Sequence, residues 1–275
     1  MNKDSIFKNI FKGIYQRCNK PLFKNSYKKI RFNLLKVKLL KNLPAQKVQS
    51  TTLFNKKIIF FSREEFLSNL QEIFIEEIYK VQLPPNAFII DCGANIGLSV
   101  IYFKMQSVDA RIIAFEPDSF NFKLLQANIE SFGFKDIELR KEAVWIDSTQ
   151  LNFVNKGSLS SKIEDTNIGE GTLVKAIRLK NIMVVNIDFL KIDIEGAEYK
   201  VMKDIQPNLY LVKNIFVEYH GNFYQNKELN EILHILTENG FQYYIKEATN
   251  KHPTPFMRHF SSDYDVQLNI FGFRN

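Results

Sequence analysis

Acidic residues are nearly missing from the first fifty positions of this chain, where Asp4 stands alone against thirteen lysines and arginines. Beyond residue 50 the balance reverses to 24 basic and 29 acidic residues, so the net charge of +7 belongs to a leader and not to the body of the protein. A nucleic-acid reader would carry basic charge along its binding edge, so no nucleic-acid partner is expected. Cysteine is scarce too. Only Cys18 and Cys92 are present, the second inside an apolar run, which excludes a disulfide scaffold and predicts a reduced, cytoplasmic protein. The four histidines, His220, His234, His252 and His259, are scattered, and no Cys/His cluster has zinc spacing. Nowhere do about 18 apolar residues run together, so no membrane-spanning helix is expected. The N-terminus also lacks the apolar core and small-residue cleavage site of a signal peptide.

What is present is an alternation of two periodicities. With 275 residues, 45% hydrophobic and 24% charged, one sizeable α/β domain behind a shorter segment is the natural partition. Strands are expected at 88–92, 111–115, 137–140, 151–154, 173–179, 189–192, 215–219, 241–245 and 266–273. Helices are expected at 62–80, opened by a Ser62/Glu65 capping box, and at 120–130, 197–205 and 227–239, the last closed by Gly240. Alternating strands and helices imply a parallel sheet, and the two successive strands at 151–179 imply an inserted β-hairpin. In the leader, Ile6, Phe7, Ile10, Phe11 and Ile14 recur at helical spacing, as do Ile30, Leu34, Leu35, Leu39 and Leu40 among lysines and Arg31. Residues 1–60 are therefore expected to form a basic helical arm and 61–275 the domain. Such an arm either lies on the anionic inner face of a membrane or packs on the domain or on a second subunit of a homo-oligomer.

The most informative stretch is Phe88-Ile89-Ile90-Asp91-Cys92-Gly93-Ala94-Asn95-Ile96-Gly97-Leu98-Ser99. An apolar run ends in an acid, then a glycine-punctuated turn, then helical spacing. That is a buried strand feeding a helix N-terminus, where α/β folds bind nucleotide-like cofactors. Gly93 allows close backbone approach, Asn95 tolerates a left-handed backbone, and Gly97 lets helix pack on strand. A second apolar run ends in Glu116 about twenty residues on, where a carboxylate would grip a ribose diol. A third ends in Asp193 and Glu195, with Gly196 permitting a sharp turn, so both carboxylates fall on the carboxyl edge of the sheet. There a carboxylate can accept the proton of a substrate hydroxyl. Val217-Glu218-Tyr219-His220 ends another strand on that edge and adds Glu218 and His220. Glu195 and Glu198 also read as residues that orient the turn or pair with lysines, and His220 as a hydrogen-bonded strand end. Closely spaced carboxylates can hold Mg2+ through oxygen ligands, but the spacing does not demand it, and no residue is assigned as a metal ligand.

In order, D-x-G-A-N-I-G at 91–97, A-F-E-P at 114–117 and I-D-F-L-K-I-D-I-E-G-A-E at 187–198 resemble the FkbM family of S-adenosylmethionine-dependent methyltransferases. The resemblance covers roughly residues 64–222, including Glu72-Ile73-Phe74, Glu142-Ala143-Val144 and the Gly157-Ser158-Leu159-Ser160-Ser161 turn. It departs at Arg178-Leu179-Lys180-Asn181, where the family commonly has an acidic segment. The fold it implies is α/β: a class I methyltransferase (Rossmann-like) sheet, mostly parallel with an antiparallel last strand, helices on both faces and an inserted β-hairpin, preceded by the N-terminal helical segment. It further implies S-adenosyl-L-methionine as cofactor, with Asp91, Gly93, Asn95 and Gly97 on its methionyl portion, Glu116 on its ribose, and Glu142 and Ala143 bordering its adenine. Asp193, Glu195, Glu218 and His220 become the catalytic candidates on the acceptor side, Asp193 foremost as base. The expected acceptor is a hydroxyl of a sugar, a glycan precursor or another small metabolite.

Two rivals from other classes exist. A nicotinamide-dependent oxidoreductase would use a similar corner, but the third glycine of G-x-G-x-x-G is missing. A basic membrane-surface module on a degenerate domain would not need the intact corner.

Overall fold

The computed structural model describes residues 29–155, 161–164, 172–249, 252–257 and 264–274 of the chain. The first leader helix expected from Ile6 to Ile14 and the turn at 157–160 lie outside the described residues. Within them the chain begins with α1 (Leu34–Lys41), capped by Asn33, whose side chain accepts from the Lys36 N–H at 2.7 Å. β1 (Gln46–Leu53) and β2 (Lys56–Ser62) form an antiparallel hairpin, and α2 (Arg63–Asn69) follows directly. Next come β3 (Phe88–Cys92), α3 (Leu98–Gln106), β4 (Arg111–Phe115), α4 (Ser119–Phe132), β5 (Ile137–Arg140), β6 (Ala143–Trp145), β7 (Gln150–Asn155), β8 (Ser161–Glu164) and β9 (Thr172–Arg178). The chain closes with β10 (Ile187–Ile192), α5 (Glu198–Ile205), β11 (Val212–Gly221), α6 (Asn226–Glu238), β12 (Gln242–Glu247) and β13 (Val266–Phe273).

Seven strands form the central sheet in the order β12-β13-β11-β10-β3-β4-β5. Strands β11, β10, β3, β4 and β5 run parallel, and β13 lies antiparallel between β11 and β12, so the antiparallel last strand appears where it was expected. The order reverses between β3 and β10. Chain connections leave in opposite directions there, and the carboxyl ends of the strands open a crevice. The central strands are apolar on both faces, as buried parallel strands must be. Ile89 and Phe189 join one core with Phe103 and Leu125, while Ile90 and Leu190 join the other with Val201 and Leu236.

Three expectations need correction. The inserted hairpin is a larger unit: β7 pairs antiparallel with both β8 and β9, and β9 takes β6 alongside in parallel. The short sequence of β8, Ser-Lys-Ile-Glu, holds a single apolar residue and leaves no periodic trace. The segment before residue 60 is not helical throughout, because Gln46–Ser62 is a hairpin whose period-two pattern buries Ile58 and Phe60. Phe60 stacks on Phe66 of α2 with ring centroids 4.1 Å apart, and Ile30, Phe32, Val37, Leu40 and Leu53 are buried in the core that contains β3 and α4. The helix expected at 62–80 begins as foreseen, with Ser62 Oγ accepting from the Glu65 N–H at 3.2 Å, but it passes into a π-helical turn at Leu70–Ile75. It has ended by Glu77, whose backbone is left-handed at φ 56°. Among the described residues no helix is long and apolar enough to cross a membrane.

Asn128 ties the hairpin to α4 and to the loop before α3. Asn128 of α4 is fully buried; its Oδ1 accepts from Ile59 N–H at 2.7 Å, and its Nδ2 donates to Ile59 O and Ile96 O, both at 2.9 Å. Replacing it with alanine leaves buried backbone groups without partners. Asn128→Ala should therefore cost about 2–3 kcal/mol, read as a lower urea midpoint at unchanged slope.

Candidate active site

A cavity of about 510 Å³ occupies the crevice at the carboxyl ends of β3, β4, β10 and β11. Its roof comes from α2 and the π turn through Glu65, Ser68, Asn69 and Glu72, and Tyr264 and Gln267 close one side. The loop after β3 is locked by its crossing with the end of β10. Gly93 has φ 88°, and a Cβ there would lie 1.8 Å from the Asp193 carbonyl oxygen, so only glycine fits. Gly97, at φ 91°, caps α3 where a Cβ would press within 2.7 Å of Leu125. Between them Asn95 adopts φ 48°. Its N–H donates to Glu116 Oε2 at 2.8 Å, and its side-chain amide donates to Glu65.

Glu116 lines the cavity at the end of β4 and is almost fully buried. Its second oxygen accepts from Asp118 N–H at 2.9 Å. Burial pushes its carboxyl up to about 8, against the pull of those two N–H donors. Ala143 and Val144 also line the cavity. Glu142, expected beside the adenine, is not among the lining residues; its carboxylate pairs with Lys175 on β9. The pairing of β9 with β6, which the sequence pattern did not show, brings that partner alongside.

Asp91, expected on the methionyl portion, also stands outside the lining. Its carboxylate is fully buried and is not part of the cavity wall; it accepts from Ser99 Oγ at 2.5 Å and faces the Lys191 ammonium at 3.3 Å. Lys191, adjacent to Asp91 across the β3–β10 register, also reaches Asp193 Oδ2 at 3.1 Å and donates to Gly93 O at 2.8 Å. Burial alone would lower the Lys191 pKa, but Asp193 and Asp91 more than offset it and hold it well above the ordinary value. Asp91 thus meets the loop after β3 through Lys191, which bonds to Gly93 O. Sequence reasoning missed Lys191, although a lone lysine inside an otherwise apolar strand was the available signal.

Across the cavity, His220 gathers the remaining acids. Its Nδ1 lies 3.2 Å from Glu198 Oε1, and its Nε2 lies 3.5 Å from Glu218 and 3.6 Å from Glu195. Glu198 is buried and accepts from the N–H groups of Ile194 and Gly196, so it orients the turn, one of the two roles expected of it. That turn is strained: Glu195 sits at φ 57°, and Tyr264 OH donates to its carbonyl at 2.6 Å to hold it there. Burial raises Glu195 to about 7 and Glu218 to about 8, nearby Asp193 adding to both. Burial disfavours charge on His220, but Glu198, Glu195 and Glu218 together hold it up to about 10. Gln267 Nε2 donates to Glu218 at 2.6 Å. Glu72, raised by burial, accepts from Asn269 at 2.8 Å, and Glu65 is raised by burial to about 6. The structure thus brings Gly93, Asn95, Glu116, Ala143, Asp193, Glu195, Glu218 and His220 to one cavity, and adds Glu65, Glu72 and Lys191.

Strand order and crevice define an α/β protein with the architecture of the class I methyltransferases. The model of the methyltransferase FkbM domain matches residues 91–243, more than half of the chain, and the protein belongs to that family. Two curated proteins match over short stretches: the AMB antimetabolite synthetase AmbE of Pseudomonas aeruginosa, 46% identical over 48 residues, and the methyltransferase sdnD of Sordaria araneosa, 48% identical over 46 residues. Each match spans 16% of this chain, but 2% of the first relative and 18% of the second. Among solved structures, methyltransferase FkbM from Methylobacillus flagellatus is 17% identical, with a TM-score of 0.47 over 70% of this chain and 45% of that one.

The electrostatics fix a sign for pH dependence. Glu65, Glu195, Glu116, Glu218 and His220 all bind protons more tightly in the fold than the ordinary 4.5 of glutamate or 6.5 of histidine. Such groups stabilise the fold fully below their unfolded pKa and lose that contribution as pH climbs through the folded one. The Tm of ligand-free protein should fall progressively from about pH 5 to about pH 10. Thermal melts across that range check it, and a Tm that climbs toward pH 9 contradicts it.

Proposed function

We propose that this protein transfers a methyl group from S-adenosyl-L-methionine to a hydroxyl of a sugar, a glycan precursor or another small metabolite. The observation that carries the reading is one cavity joining a glycine-locked loop and Glu116 to the acid cluster around His220. The residues suit the cofactor. The cavity is of small-molecule size, and six carboxyls line it against two bases, which favours a ligand bearing sulfonium and ammonium charge. Glu116 keeps unused lone pairs beyond its two backbone donors, available to ribose hydroxyls. Asn95 and the backbone of Gly93 would hold the methionyl end, Gly97 shaping the helix entry beside it, and Ala143 and Val144 would border the base. Bound there, the cofactor supplies an electrophilic methyl carbon.

On the acceptor side the protein's task is to hold a hydroxyl in line and remove its proton. Glu218, held near neutrality at about 8 and steadied by Gln267, is matched to that transfer. Asp193 has one oxygen committed to Lys191, which suits it to orienting the acceptor more than to carrying the proton away. Glu195 and His220 complete the wall. Hydroxyl-rich acceptors fit this set because carboxyl oxygens accept hydrogen bonds from hydroxyls.

Calorimetry with S-adenosylmethionine and S-adenosylhomocysteine tests the assignment. Micromolar-range binding is expected, and Glu116→Ala should weaken it about ten- to a hundredfold through loss of the carboxyl's hydrogen bonds to the ribose hydroxyls. Wild-type protein giving heat with NAD and none with either of these ligands would move it to the oxidoreductase class.

We also propose peripheral contact with the inner face of the cytoplasmic membrane, where lipid-linked glycan precursors would be met. The leader's basic excess supports this, as does α1, which buries Val37 and Leu40 while Leu35 and Leu39 stand exposed among Lys38 and Lys41. Each lysine near an anionic surface contributes about 1 kcal/mol and is screened by salt. Co-sedimentation should be strong with phosphatidylglycerol-containing vesicles at low salt and lost at about 0.5 M NaCl. Equal pelleting on neutral vesicles rejects the idea.

A further inference from the structure

We infer that Asp193, Glu195 and His220 form a binding site for a divalent cation of the Mn2+ or Zn2+ type. A carboxylate oxygen from each acid and a ring nitrogen of His220 all lie within 4.8 Å of one another. An ion with bonds of about 2.1 Å holds its ligand atoms roughly 3–4 Å apart, so closure asks for a small side-chain movement. Glu195, partly exposed on its turn, has room to make it.

The set is more than a group of acids. The His220 side chain is 1% exposed, and its Nδ1 is engaged by Glu198, a carboxylate already fixed by two backbone N–H groups. That arrangement turns Nε2 into the cavity, as the outer carboxylate does for metal-bound histidines. Among the described residues the carboxylates of Glu218 and Glu195 stand 3.5 and 3.6 Å from Nε2, beyond short hydrogen-bond distance, and the Gln267 amide nitrogen lies 3.2 Å away.

Charge points the same way. Glu65, Glu72, Glu116, Asp193, Glu195 and Glu218 line the cavity, whereas Lys191 is shared between Asp91 and Asp193 at its floor. A mixed imidazole and carboxylate donor set favours a transition ion over Mg2+, which prefers oxygen alone and keeps much of its water. Three protein ligands leave positions for an acceptor oxygen, whose hydroxyl the ion would make more acidic. That role rests on the methyl-transfer reading above; the binding itself does not.

The test uses the full chain stripped of metal, titrated with MnCl2 while the free Mn2+ signal is followed by electron paramagnetic resonance. One ion per chain is expected. Glu195→Gln should weaken it at least about tenfold, and Glu65→Gln, in the same cavity but outside the trio, by less than about twofold. His220→Ala should abolish it; because that ring is buried and the variant can misfold, Glu195→Gln decides. Absence of Mn2+ uptake, or equal weakening by Glu65→Gln and Glu195→Gln, overturns the site. S-adenosylhomocysteine calorimetry on the same sample separates the two readings. Heat without Mn2+ uptake removes the ion and keeps methyl transfer, and uptake without heat does the reverse.

Discussion

Lys191 holds the active-site crevice together. A buried ammonium is costly unless its charge is matched and its protons are bonded, and three groups from two strands and a loop do this: Asp91, Asp193 and the Gly93 carbonyl. Two of those partners, Gly93 and Asp193, also line the cavity floor. The loop after β3 can approach the end of β10 only because Gly93 has no side chain, and the ammonium fixes the distance at which they meet. Moving any one of the four displaces the others, so the geometry is over-determined where a ligand would need it to be.

The second organising feature is the turn after β10. Glu195 stands in a left-handed conformation that a glutamate adopts at a cost, and three contacts hold it there: Tyr264 on its carbonyl, and Glu198 on the N–H groups at either side. Glu198 also grips His220, so the strain in the turn and the direction of the imidazole are set by the same carboxylate. The cavity that results is strongly acidic, with carboxyls pushed toward neutrality by burial.

The roof has a different origin. The π turn at Leu70–Ile75 spends one extra residue per turn, which points Glu72 at Asn269 on β13 and sets Ile73 against the cavity. The β1–β2 hairpin supports this region from behind through Phe60 on Phe66, and Asn128 links the hairpin to the loop at Ile96. Residues that read as a leader in the sequence thus stand behind the wall of the site.

The sequence by itself determined the local pieces. Apolar runs ending in acids placed the strands, the Asp91-to-Gly97 corner marked the helix entry, and Glu116, Asp193, Glu195, Glu218 and His220 were legible because strand ends are where a parallel sheet presents side chains to one crevice. Those signals are periodic and short-ranged, which is why they survive without a structure. What only the tertiary structure decided was pairing across the sheet. Asp91 and Lys191 are a hundred positions apart and meet through register; Glu142 is drawn away by Lys175 because β9 returns beside β6; Glu65 and Glu72 reach the cavity because a hairpin and a π turn carry them over it. Periodicity reports which face of an element is apolar. It does not report which polar group will stand opposite, since that depends on strand order and chain crossings set by the packing of the whole core.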